Sequence, residues 1–156
     1  MFLKEVVNFV KVLNEMTVTF ESRSSNEAFA RSAVAAFVAQ LDPTIGELND
    51  IRTAVSEAVT NCVVHAYKES IGKISINVRI LSDNIVCIRI RDKGCGIEDI
   101  DKAMEPLFTT APEAERAGLG FAVMQSFCDI VKVRSNVGSG TTVTLNKRIS
   151  PRVGNG

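Results

Sequence analysis

The sequence predicts an α+β domain: a mainly antiparallel sheet covered on one face by three helices, a two-layer sandwich. Three observations carry this. "GKISINVRI" (72–80) and "NIVCIRIRD" (84–92) alternate with period two, as half-buried strands do. "LSDN" between them is a hairpin turn, far too short for a parallel crossover. Three apolar-periodic segments flank the strands, and amphipathic helices on one face of a sheet make the two-layer arrangement.

Taken in order, "MTVTFES" (16–22) alternates and reads as the first strand. In "SSNEAFARSAVAAFVAQL", Ser24 and Glu27 have the spacing of a capping box, so the first helix is expected from about residue 25 to 41. Asp42-Pro43 ends it. Thr44 and Glu47 repeat the box and open a second helix, expected to reach about residue 68. After the hairpin, residues 94–117 are rich in Gly, Pro, Thr and charge, with one short helix at about 98–104. "LGFAVMQSFCDI" (119–130) reads as a third long helix. "VKVRSN", a "GSG" turn and "TTVTLNKRI" form a final hairpin. The domain is expected over residues 14–149, with an N-terminal extension at 1–13 and a disordered tail, "SPRVGNG", at 150–156.

Composition narrows the function. A chain of 156 residues suggests one domain, and 46 % hydrophobic content is enough for a real core. Eighteen basic residues equal eighteen acidic ones, which argues against a nucleic-acid protein held by a basic face but leaves local patches open. No run approaches the roughly 20 apolar residues of a membrane span, and the N-terminus lacks a signal-peptide core. Cys62, Cys87 and Cys128 read as reduced core thiols, and Cys95, between glycines, as exposed. A cytoplasmic protein without structural zinc is expected.

Several stretches carry possible chemistry. In "AVSEAVTNCVVHAY" (54–67), Glu57, Asn61 and His65 recur every four residues. At about 100° per residue, Asn61 lies about 40° and His65 about 80° from Glu57, and the apolar stripe begins at about 60°. Glu57 and Asn61 therefore sit on the border of the buried face, as cleft residues do, or as ordinary polar residues beside a core stripe do. His65, nearer the stripe, reads as a structural histidine. Val86, Ile88, Ile90 and Asp92 share one strand face, so Asp92 should project into the interior, where a carboxylate needs donors. "DKGCGI" follows, with Gly94 and Gly96 freeing the backbone to turn closely; a simple strand-end turn would look the same. Gly118 and Gly120 precede an apolar helix whose N-terminus can hold phosphate, a weak signal alone. There is no Walker A lysine, and the dinucleotide glycine pattern is incomplete. "PLFTTAPEAERAG" (106–118), with Thr109, Thr110 and Arg116, reads as a lid over a site or as a solvated loop. "GSGTTV" sets Thr141 and Thr142 at a strand start.

Glu-x-x-x-Asn on a helix, Asp-x-Gly-x-Gly after a strand, Gly-x-Gly before a helix and then Gly-Thr-Thr form an ordered set. Over about residues 16–148 it resembles the GHKL superfamily of ATP-binding domains. "SEAVTNCVVHAY", "PLFTT" and "RAGLGF" resemble its branch of anti-sigma serine kinases from endospore-forming bacteria. The resemblance implies ATP and Mg²⁺ as cofactors. It implies Glu57 as general base toward a substrate serine, Asn61 as Mg²⁺ ligand and Asp92 as acceptor for the adenine amino group. Gly94 and Gly96 would border the nucleotide, Gly118 and Gly120 would face its phosphates, Thr109 and Thr110 would belong to the lid, Arg116 would assist the γ-phosphate, and Thr142 would bond near adenine or Asp92. It further implies that Arg31, with Glu27, lies where a sigma factor and an anti-anti-sigma protein dock, and that the chain forms a homodimer without contacting nucleic acid or membrane. Other readings are a general-stress kinase of the same branch, a nucleotide-binding anti-sigma module without kinase activity, and a histidine-kinase catalytic domain. The last would need a phosphoacceptor helix upstream.

Overall fold

The computed structural model describes residues 9–105 and 120–152. Five strands form one sheet: β1 (Val12–Glu21), β2 (Lys73–Leu81), β3 (Ile85–Asp92), β4 (Ile130–Asn136) and β5 (Gly140–Arg148). Their order across the sheet is β1-β2-β3-β5-β4, and every neighbouring pair is antiparallel. The helices are α1 (Asn26–Val38), α2 (Ile45–Asn61), the single turn α3 (Ile100–Ala103) and α4 (Gly120–Phe127). The expected α+β sandwich is thus the observed fold. Among the described residues, no helix is long and apolar enough to cross a membrane.

The core lies between α2 and the sheet. Alternation along β2 and β3 buries Ile74, Ile76, Val78 and Ile80 with Val86, Ile88 and Ile90. The helical period of α2 buries Ile51, Ala54, Val55, Ala58 and Val59 against them. Its small residues let α2 lie close to the strands, with α1 on one flank and α4 on the other. Phe29 of α1 meets Phe20 of β1 edge-on, ring centroids 6.0 Å apart, which settles the first helix over the sheet edge. On the far flank, Lys147 Nζ donates to Asp50 Oδ2 at 3.2 Å and to the Phe127 carbonyl at 2.7 Å. One ammonium thus ties β5 to α2 and caps the C-terminus of α4, where a cation is favoured.

Several boundaries differ from expectation. β1 starts at Val12, inside the stretch read as an extension, and Lys11 exchanges hydrogen bonds with Ser82. The Ser24–Glu27 capping box does not form: Ser25 precedes α1 with helical φ and ψ, and no side chain caps the helix. The chain enters α1 through a turn, and Glu27 is free to pair with Arg31 at 3.1 Å. A short 3₁₀ turn (Ala39–Leu41) continues α1, and Asp42 ends it in the left-handed region. α2 passes at Cys62 into five π-helical residues ending at Ala66. The third long helix is only two turns, because Ile130 already belongs to β4. Residues 150–152 are tethered rather than loose: Ser150 N–H donates to Glu47 at 2.8 Å, and Arg152 to the carbonyls of Asp42 and Pro43.

The second capping box forms in full. Glu47 N–H donates to Thr44 Oγ1 at 3.1 Å, and Thr44 N–H to Glu47 Oε1 at 2.9 Å. Partial burial would raise the Glu47 carboxyl, but hydrogen bonds from Ser150 and Thr44 outweigh it and hold its pKa below the ordinary value. Replacing Thr44 by Ala should cost about 1 kcal/mol, the usual worth of such a cap, read as a lower urea midpoint at unchanged slope.

Candidate functional site

A cavity of about 680 Å³ opens between the C-terminal half of α2, the end of β3, the segment through α3, the start of α4 and β5. Its lining includes Asn61, His65, Asp92, Gly96, Gly120 and Thr141. Residues from all four of the predicted motifs, far apart in the chain, therefore share one space. The size suits a nucleotide-sized ligand.

Asp92 lies in this wall and is only 5 % exposed. It arrives there because it continues the core-facing row of β3. Its Oδ1 accepts the Gly94 N–H at 2.9 Å and the Thr141 N–H at 3.1 Å. Its Oδ2 accepts the Cys62 thiol at 3.5 Å. Burial, and then the Asp92 carboxylate itself, push the Cys62 thiol well up, so it keeps its proton and remains a donor. A thiol is a weak donor, so Oδ2 retains acceptor capacity for an N–H group brought into the cavity.

Asn61 is the last residue of α2 before the π-helical turn and lines the cavity. A π turn often marks a functional site, since it re-aims the side chains that follow. Here it brings His65 into the lining as well. Glu57, one turn earlier, is half-buried and stands outside the lining residues. Among the described residues, no cluster of three or more His, Cys, Asp or Glu side chains is arranged to hold a metal. The donor set fits a hard cation that takes one amide oxygen from Asn61 and its other ligands from phosphate and water.

The glycines divide into two roles. Gly96, at φ +76, and Gly120 line the cavity. Gly94 does not; a Cβ there would stand 2.3 Å from the Ala66 carbonyl oxygen. Its task is to bring the turn after β3 against the end of α2, where Cys95 N–H donates to that same carbonyl at 3.0 Å. The paired threonines also separate. Thr141 faces the interior, while Thr142 falls on the opposite face of β5, so the residue near Asp92 is Thr141 and not Thr142. Sequence reasoning also passed over Lys68 and Lys102, two cations in the lining. Arg31 and Glu27 form their pair on the outer side of α1, away from the cavity lining. Thr109, Thr110, Arg116 and Gly118 lie outside the described residues.

The profile of the family described as "Histidine kinase-like ATPase domain" matches residues 20–147. The chain is 59 % identical, over 136 residues, to the anti-sigma F factor of Caldanaerobacter subterraneus subsp. tengcongensis, covering 87 % of this chain and 94 % of that protein. It is 55 % identical over 138 residues to the anti-sigma F factor of Geobacillus kaustophilus (88 % and 94 % covered) and 51 % identical over 138 residues to that of Bacillus velezensis (88 % and 94 %). Among solved structures, the Erythrobacter litoralis EL346 blue-light activated histidine kinase superposes with a TM-score of 0.56 at 21 % identity. That match covers 76 % of this chain and 40 % of that one, and bears on the fold alone.

Since a Cβ at residue 94 would meet backbone rather than a movable side chain, Gly94→Ala should destabilise the fold by about 1–3 kcal/mol, the usual range for overpacking. Chemical unfolding measures it; a midpoint equal to wild type would show that the turn after β3 can move aside.

Proposed function

The chain belongs to the histidine kinase-like ATPase domain family and, within it, to the anti-sigma F factors, and on that premise we propose that it is an ATP- and Mg²⁺-dependent serine kinase that also holds an RNA polymerase sigma factor inactive. Its phosphate acceptor is a serine of an anti-anti-sigma protein, whose unphosphorylated form competes with sigma for the same surface. It works in the bacterial cytoplasm as a homodimer.

The observation that carries this reading is Asp92: a nearly buried carboxylate, held by two backbone N–H groups, with acceptor capacity remaining in the wall of a nucleotide-sized cavity. A carboxylate there accepts the exocyclic amino group of adenine and has no donor for the carbonyl that guanine carries at the same position, so it selects the base. The Asn61 amide oxygen, elsewhere in the same lining, is the protein ligand for Mg²⁺. Bound ATP and Mg²⁺ supply the transferable phosphoryl group and the counter-charge for its oxygens. Glu57, one helical turn from Asn61, accepts the proton of the substrate serine as the serine oxygen bonds to phosphorus and the β–γ bridging bond breaks, releasing ADP. Its position outside the described lining is compatible with this role, because the acceptor serine belongs to a second protein that must approach from outside. Gly96 and Gly120 border the nucleotide and its phosphates. Thr109, Thr110, Arg116 and Gly118 are assigned to the lid and phosphate contacts from their motif alone. Arg31, exposed on α1, and the half-buried Glu27 it pairs with are the proposed contact for both protein partners.

The direct test is incubation with γ-labelled ATP and a candidate anti-anti-sigma protein, followed by detection of phosphoserine. Glu57→Ala should reduce transfer at least about 100-fold, the typical worth of a general base, while nucleotide affinity stays within about twofold. Equal loss of transfer and nucleotide binding would remove Glu57 from the base role. Asp92→Asn should weaken ATP binding by about tenfold or more and narrow the preference for ATP over GTP, because its amide presents a donor where adenine needs an acceptor. Unchanged ATP affinity in a calorimetric titration would show that the base is held elsewhere.

A further inference from the structure

Four cations stand together on the face of the sheet that no helix covers among the described residues. Strand β5 lies between β3 and β4. The register sets Arg91 opposite Thr142 and Thr142 opposite Arg134; two residues along, Arg89 is opposite Thr144 and Thr144 opposite Lys132. All six alternate with residues that face the core, such as Ile88, Ile90 and Val143. The four cations are exposed and the two threonines half-buried. Strand geometry makes the quartet a rectangle of about 7 Å by about 10 Å with both hydroxyls between the charges.

Among the described residues, the carboxylate nearest the quartet on this face is Glu15, whose charge Arg89 feels but whose hydrogen bonds come from Asn77 and Arg79. None of the four forms an ion pair among the described residues, whereas the neighbouring Arg79 is matched by Glu15 at 3.1 Å. The other residues along these two rows are Thr17, Thr19, Ser75 and Asn77, all uncharged. Like charges at these separations lie within about one Debye length at physiological salt and repel each other. The chain as a whole carries no net charge, so the local excess is a matter of placement.

We propose that this quartet is a docking surface for an acidic segment of a protein partner, distinct from both the nucleotide cavity and the α1 face that carries Arg31. A carboxylate set between the cations gains their charge and a hydrogen bond from Thr142 or Thr144. Four contacts on a chain of zero net charge are fewer than the six to ten phosphate contacts, on a broadly basic face, typical of a nucleic-acid protein. A second copy cannot use the same face against itself, because like would meet like.

The test is fluorescence anisotropy on the full chain with two labelled probes, a peptide of alternating Glu and Ser and a DNA duplex, at low and at physiological salt. The peptide should bind more tightly than the duplex and weaken as salt rises. Arg89→Gln/Arg134→Gln should weaken peptide binding by about tenfold, while the charge-matched control Lys11→Gln/Arg52→Gln changes it by less than about twofold. ATP affinity should be the same in both variants, which separates this claim from the nucleotide reading. Thermal midpoints check folding, and Lys132→Gln alone, expected to weaken the peptide by about threefold, replaces the double variant if that one unfolds. No peptide binding at low salt, equal loss in the control, or tighter binding of the duplex through the same quartet would each overturn the proposal.

Discussion

Two backbone N–H groups converge on one oxygen of Asp92: that of Gly94, two residues on, and that of Thr141, the second residue of the last strand. A buried carboxylate without donors would cost several kcal/mol, so the chain must bring both amides to it or lose the fold around that point. Meeting this demand joins the end of β3, the turn after it and the start of β5 at one atom. The glycines nearby follow from the same demand. Gly140, at φ +112, lets β5 pass so close that a Cβ would stand 2.2 Å from the Asp92 carbonyl oxygen. Gly96 makes a matching approach to the Asn136 carbonyl, and Gly94 to that of Ala66. Backbone meets backbone at three places around the end of β3 and the turn after it. The donors that make the burial of Asp92 tolerable also orient it and leave Oδ2 with spare acceptor capacity in the cavity wall.

The end of α2 is organised around the same point. Cys62 donates to Asp92 and begins the π-helical turn, and Tyr67, at the close of that turn, bridges the Lys73 carbonyl and the Lys93 N–H through its hydroxyl. Burial raises the Tyr67 phenol, so it stays protonated and can donate and accept at once. Gly72 lies against the ring, where a Cβ would be 2.1 Å from a ring carbon. The widened turn is thus anchored at both ends, and its backbone geometry carries Asn61 and His65 into the lining. An amide placed at an anchored helix irregularity is held with less reorganisation than one on a loop.

Much of this was legible in the sequence wherever a period forced one answer. Alternation in Val86–Ile88–Ile90–Asp92 puts the carboxylate inside, since any other register would bury arginines. The Thr44–Glu47 box reads correctly because Pro43 and Asp42 leave the chain no helical path into α2. Ser24–Glu27 has the same letters and fails, because nothing forces Ser25 out of the helical region and Arg31 competes for the glutamate. Thr141 and Thr142 could not be told apart without the strand register, where a shift of one residue exchanges the two faces. The run to Ile130 looked like one helix because an apolar run alone does not separate a helix end from the strand that follows it. The π turn has no signature in residue type, and its effect on His65 was therefore missed.

Net charge misled in the opposite direction from periodicity. A total of zero is an average over the whole surface, and here the average hides a division. The segment from Glu98 to Glu105 is acidic, with Glu98, Asp99, Asp101 and Glu105 around a single lysine, and it lies beside the cavity on the helical side. The uncovered sheet face carries the basic quartet. Each field acts over about a Debye length, some 8 Å at physiological salt, so a partner approaching one side responds to that side's charge and not to the sum. Antiparallel pairing makes such segregation easy: residues two apart on one strand, and residues opposite each other on the next, share a face, so basic residues on β3 and β4 converge across β5 without being near one another in sequence. The same rule that places Asp92 in the core places Arg89 and Arg91, its neighbours on β3, on the opposite face. A protein that must meet a nucleotide on one side and other proteins around it gains from that separation, because the anionic ligand's pocket and the protein-facing surfaces can be tuned by different residues of the same strand.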